Sequence, residues 1–174
     1  MFEAEFNSNM RLRKMEAQTS IVLSGVYITH PTDWQAWKSL KITSGSVVYS
    51  LAPMSEENSS RIYGMSNNNL PQGYVVRGDR TYLFPTPDAT YTVDTVYVQG
   101  VPSLATNSTN WLMNKFPQAY LYGSLSQASQ FVGSPEKIAE WRQLHGMTMD
   151  QVEKESKTAS FSGAVITVRP DSSY

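Results

Sequence analysis

Cysteine is absent from the 174 residues, which excludes a disulfide framework and a thiolate metal site. Histidine is nearly absent, with only His30 and His145. Charge is sparse as well. Charged residues make up 17% and the formal net charge is -1, so Ser, Thr, Asn and Gln must cover much of the surface. The fourteen Lys and Arg are dispersed, with one cluster at Arg11, Arg13 and Lys14. A grip on nucleic-acid phosphates needs a concentrated positive face, so sequence-specific DNA or RNA binding is not expected. No apolar run approaches the ~20 residues that span a bilayer. The opening MFEAEFNSNMRLRK has no apolar core of its own, so no secretory signal is expected and synthesis in a cytoplasm is the default.

What is present is a change of period along the chain. Phe2, Phe6 and Met10 recur every four residues, with acids early and Arg11, Arg13 and Lys14 late, which predicts a helix over 1–18. From Thr19 to Gly100 the period becomes two. Ile21, Leu23 and Val26 to Ile28 read as one strand interrupted at Gly25 and ended by His30-Pro31. Trp37 to Ile42 and Val47 to Leu51 form a hairpin across Gly45, and Gly73 to Val76 and Thr81 to Phe84 form another across Gly78-Asp79. Tyr91, Val93, Thr95 and Tyr97 share one face of a further strand. Between Pro53 and Pro71 the pattern predicts a long loop, with at most a helical turn at Ile62 and Tyr63.

Beyond Gly100 the pattern is helical again. Thr109 is a candidate N-cap for a short helix to about Lys115. Pro117 breaks it and starts a second helix that runs to Val132 and is capped by Gly133. Ser134-Pro135-Glu136 opens a last helix, with Ile138, Trp141, His145, Met149 and Val152 on one face. The expected class is α+β: a helical bundle with an inserted antiparallel β subdomain and an extended C-terminal arm. In residues, this is one domain over 1–158, with helices about 1–18, 109–132 and 134–157 and a β subdomain about 19–100. The arm covers 159–174, where the β-prone Ala164 to Val168 precedes Pro170.

Chemistry finds little footing. No GxGxxG, P-loop, HExxH, GxSxG or EF-hand pattern occurs, and the Asp residues are scattered. No catalytic, cofactor-binding or metal-binding residue is assigned, and no cofactor is expected. Glu136 and Glu140 share one helix face, but paired glycosidase carboxylates must flank a scissile bond across a cleft. A cell-wall hydrolase and a glycan- or protein-binding module remain as alternatives. The notable excess is aromatic. Trp111, Tyr120, Tyr122 and Trp141 are the candidate structural anchors.

Taken in order, the motifs resemble a known family. They are Ala4-Glu5-Phe6-Asn7 through Met10 to Glu16, Pro31-Thr32-Asp33-Trp34, and Pro85-Thr86-Pro87 ahead of Tyr91. Thr109-Asn110-Trp111-Leu112 and Pro117-Gln118-Ala119-Tyr120-Leu121-Tyr122-Gly123 follow, then Trp141, Ser162-Gly163 and Val168-Arg169. The chain is similar to the head-to-tail adaptors, or tail accessory factors, of short-tailed (podovirus-type) phages. The resemblance implies a non-enzymatic virion protein that forms a dodecameric ring beneath the portal protein. Such a ring is assembled in the host cytoplasm, contacts a tail nozzle or tail tube protein, and lets DNA pass without gripping it. It also implies that the arm, through Phe161, Val165, Ile166, Val168 and Arg169, binds the portal or a neighbouring subunit.

Overall fold

The computed structural model describes residues 2–63, 68–132 and 135–161. These form two compact units, one built from the described residues within 1–14 and 103–161, the other from those within 15–102. The architecture is mixed α and β. Among the described residues there are five α-helices and two four-stranded sheets.

In the strand-rich unit, β1 (Glu16–Leu23), β8 (Tyr91–Gln99), β3 (Trp34–Ser44) and β4 (Val47–Ser50) make one sheet in the order β1-β8-β3-β4, antiparallel throughout. The second sheet has the order β2-β7-β6-β5, from β2 (Tyr27–Thr29), β7 (Arg80–Phe84), β6 (Gly73–Arg77) and β5 (Ala52–Pro53). Only the two-residue β5·β6 ladder is parallel among these pairs. Leu23, Leu40, Ile42 and Val93 from the first sheet meet Ile28 and Leu83 from the second in one buried cluster, with Leu51. Alternation along each strand thus supplies the two inner faces of a sandwich.

Both expected hairpins form. Gly45 and Gly78 adopt φ 60° and 59° at the first position of their two-residue turns, a conformation natural to glycine. The β8 alternation also holds, with Val93, Thr95 and Tyr97 buried. Thr95 is tolerated inside because its hydroxyl donates to Thr19 O at 2.9 Å.

Up to the end of the strand-rich unit, three expectations are corrected. The helix predicted over 1–18 stops early: α1 spans Phe2–Asn9, a 3-10 turn covers Arg13–Met15, and β1 begins at Glu16. Glu16, Ala17 and Gln18 favour helix locally, but eight paired positions against β8 override that preference. The single strand expected across Gly25 is two strands. Ser24 to Val26 carry the chain out of the first sheet, so β1 and β2 belong to different sheets. The loop predicted between Pro53 and Pro71 contains α2 (Glu56–Tyr63). Its start is fixed by Ser55, whose Oγ accepts from Asn58 N at 3.3 Å.

In the helical unit, α3 (Trp111–Lys115), α4 (Pro117–Val132) and α5 (Pro135–Phe161) follow the predicted breaks, with proline at the first position of α4 and of α5. The N-cap of α3 is Asn110, not Thr109: Asn110 Oδ1 accepts from Met113 N at 2.8 Å. The α5 helix continues to Phe161, so the first three residues of the expected arm are helical. Gly133 and Ser134 lie outside the described residues, as do residues 162–174 with Val165, Ile166, Val168 and Arg169.

Candidate functional site

In the helical unit, α4 packs along α5, and α1 lies against α4. Phe2 and Phe6 are buried on one face of α1. Phe2 meets Tyr120 edge-on at 5.0 Å and His145 at 5.8 Å, and Phe6 meets Trp111 at 6.3 Å. Between these rings runs a polar chain. Asn110, while capping α3, donates from Nδ2 to the Tyr120 oxygen at 2.5 Å. The Tyr120 hydroxyl donates to Glu3 Oε1 at 3.1 Å. Leu104 N–H donates to the same oxygen at 2.9 Å, and the Ser103 hydroxyl to Glu3 Oε2 at 2.6 Å. Burial alone would raise the Glu3 pKa, but these three donors outweigh it and hold the carboxyl below its ordinary value. Burial, foremost, raises the Tyr120 phenol, which therefore stays protonated as the donor.

The depressed Glu3 pKa fixes the sign of a pH effect. Its contribution is fully present above the ordinary carboxylate pKa and is lost as pH falls through the folded-state value. Glu3→Gln is therefore expected to lower the melting temperature at neutral pH, with the gap to wild type closing in acid. Melts from pH 7 to pH 3 check this; a gap that widens on acidification contradicts it.

Beside this network lies a groove of about 310 Å³. Its apolar lining is Leu12, Trp111, Phe116 and Val152, and its polar lining is Arg13, Lys14, Lys115, Glu155 and Ser156. Leu12, Phe116 and Val152 are buried, whereas Trp111 is half-buried. The Lys115 ammonium pairs with Glu155, and Arg13 N donates to Ser156 Oγ at 3.1 Å. An aromatic wall beside basic side chains suits protein contact, where tryptophan and arginine carry much of the binding energy.

The strand-rich unit holds its own aromatic cluster. The rings of His30 and Trp34 lie 3.8 Å apart, Trp34 and Trp37 5.6 Å, and Trp37 and Tyr97 5.9 Å. Trp37 Nε1 donates to Thr81 Oγ1 at 2.6 Å, and His30 Nε2 lies 2.8 Å from that oxygen. Burial, partly offset by Asp79, lowers the His30 pKa, so the ring is neutral at pH 7 and packs as part of the cluster.

Of the anchors expected from sequence, Trp111, Tyr120, Tyr122 and Trp141 are all half-buried. Trp111 lines the groove and Tyr120 joins the Glu3 network. Phe161 is the last residue of α5. Glu136 and Glu140 are exposed on α5. Sequence reasoning missed the Glu3 network and the part of Leu12, Phe116 and Val152 in the groove. Glu3 lies about a hundred residues from Ser103 and Leu104, and no local pattern marks such a pairing.

A family model described as SU10 adaptor protein matches residues 1–168. The chain belongs to that family. Membership makes it a phage structural protein of the head-to-tail adaptor kind and a virion component, in agreement with the resemblance read from sequence. No curated protein matches it. Among the described residues of this SU10 adaptor chain, no helix is long and apolar enough to cross a membrane, and no group of three or more His, Asp or Glu side chains is placed to hold a metal ion.

Proposed function

We propose that the chain assembles into a ring, a dodecamer, that binds the portal and connects it to the tail of a podovirus-type particle. The ring opens a channel through which DNA leaves during genome ejection. The observation that carries this reading is the family match over residues 1–168. The formal net charge of -1 supports it, because a channel wall that attracts phosphates would retard the genome. The two units divide the work: the helices act as the bundle that presents Trp111, with Tyr120, Tyr122 and Trp141 as structural anchors, and the strands widen the subunit. The tail nozzle or tail tube protein attaches to the far side of the ring.

In this reading the end of α5 and the segment after it attach to the portal or to a neighbouring subunit, using Phe161, Val165, Ile166, Val168 and Arg169. Its run Ala164 to Val168 is β-prone and ends at Pro170, a pattern suited to adding a strand to another chain. Deleting the residues after Ala159 is expected to leave the monomer's melting temperature nearly unchanged and to abolish attachment to portal-bearing particles. A truncated chain that still attaches removes this segment from the mechanism; one that unfolds assigns it to the subunit's own core.

A further inference from the structure

The sheet β1-β8-β3-β4 ends in two strands that each have a single partner among the described residues. Edge strands are normally protected by Lys, Pro, bulges or inward-pointing charge. These two have little of that protection. β4 reads Val47-Val48-Tyr49-Ser50 and is exposed throughout, with Val48 59% accessible. The facing stretch of β1, Ser20 to Leu23, is equally uncharged, and Val22 is 67% accessible.

Register makes the two edges complementary. Following the paired positions across the sheet, Val22, Thr92, Thr43 and Val48 form one row. Ile21, Val93, Ile42 and Tyr49 form the next, and Ser20, Asp94, Lys41 and Ser50 the one after. A second copy continuing the sheet without stagger would set Val48 against Val22, Tyr49 against Ile21 and Ser50 against Ser20. Apolar meets apolar on both faces, and serine meets serine.

Strand direction and hydrogen bonding agree. Four strands of alternating direction mean that a repeat of the same sheet places β1 antiparallel to β4, the stronger pairing. The turn Gly45-Ser46 makes Ser44 and Val47 a hydrogen-bonded pair, so the N–H and C=O of Val48 point to the open edge. The same alternation, carried through Thr43 and Thr92, points those of Val22 to the opposite edge. Charge is also compatible. Asp94 lies toward β1 and Lys41 toward β4, so the acid-to-base order repeats head to tail without setting like charges side by side.

We propose that copies of this chain associate head to tail by adding β4 of one copy to β1 of the next, with Val48 opposite Val22. The contact is heterologous, the type that generates a ring when its rotation closes, and it deepens the ring reading above. Four residue pairs fall well short of the roughly 1,600 Å² of a standard interface. The contact is therefore weak between two free copies and gains from repetition.

The absence of native cysteine makes the test direct. Val22→Cys and Val48→Cys proteins, full length, are mixed and oxidised with diamide. A heterodimer exceeding either homodimer is expected, and the double variant should give a ladder of oligomers. Within one chain the two edges lie three strand spacings apart, roughly 14 Å, beyond disulfide reach. No heterodimer, either from Val22→Cys with Val48→Cys or from Ser20→Cys with Ser50→Cys, overturns the proposal. So do homodimers in equal yield, which mark an isologous contact. Images of the wild-type assembly separate the two readings. Closed rings without the cross-link sink the edge contact alone, and open cross-linked chains sink ring closure alone.

Discussion

Ile42→Ala is expected to destabilise the strand-rich unit by about 2–5 kcal/mol, the range for truncating a fully buried aliphatic side chain. Ile42 has no solvent exposure and belongs to the cluster that includes Leu23, Ile28, Leu40, Leu83 and Val93. Its paired neighbours Val93 and Tyr49 sit on hydrogen-bonded strands, so the surroundings cannot collapse into the space that the side chain leaves. Most of the cavity should persist, which favours the upper part of the range. Urea denaturation followed by tryptophan fluorescence measures it, because Trp37 packs against the same cluster. A loss below about 1 kcal/mol would show that this core is not close-packed.

Gly123→Ala is expected to loosen α1 from α4, with a cost of about 1–3 kcal/mol from overpacking. A methyl group at Gly123 would lie 2.3 Å from Phe2 Cδ2 and 2.6 Å from Cε2. The Phe2 ring is buried and is held by Phe6, Tyr120 and His145. It can yield only by moving α1, and with it the Glu3 network. Gly73→Ala is the control. The three atoms nearest its methyl all belong to the Met54 side chain, the closest at 2.5 Å, and an unbranched thioether can turn aside. Thermal melts of the two variants should therefore differ, with Gly123→Ala several degrees lower. Equal melts would mean that Phe2 repacks freely and does not anchor α1.

The parts of this fold that sequence disclosed are those set by local chemistry. Gly45 and Gly78 mark their turns because a positive φ suits glycine. Pro117 and Pro135 mark helix starts because proline lacks the N–H that a first turn leaves unpaired. The period of β8 was readable because one face is buried. What escaped was set by partners distant in sequence. Residues 16–18 become strand only because β8 offers a full ladder. In β3, a register shift between Trp37 and Ser39 lets Trp37 and Leu40, three positions apart, both pack on the core; strict alternation cannot show this. Ser55 caps α2 in a stretch whose polarity reads as loop. The groove beside Trp111 draws on α3, α5 and the residues after α1, three segments that no spacing rule connects. The family resemblance reached further, because TNWL and P-x-x-YLYG were legible as motifs before their contacts were known.

The proposed ring sits at the head-to-tail junction. Its most direct test is electron microscopy of portal-bearing particles incubated with the purified full-length chain. The expected result is a closed ring of copies centred on the portal axis, with an open channel through it. Particles that acquire no ring, or that carry the chain as a trimeric appendage away from that axis, would contradict the account.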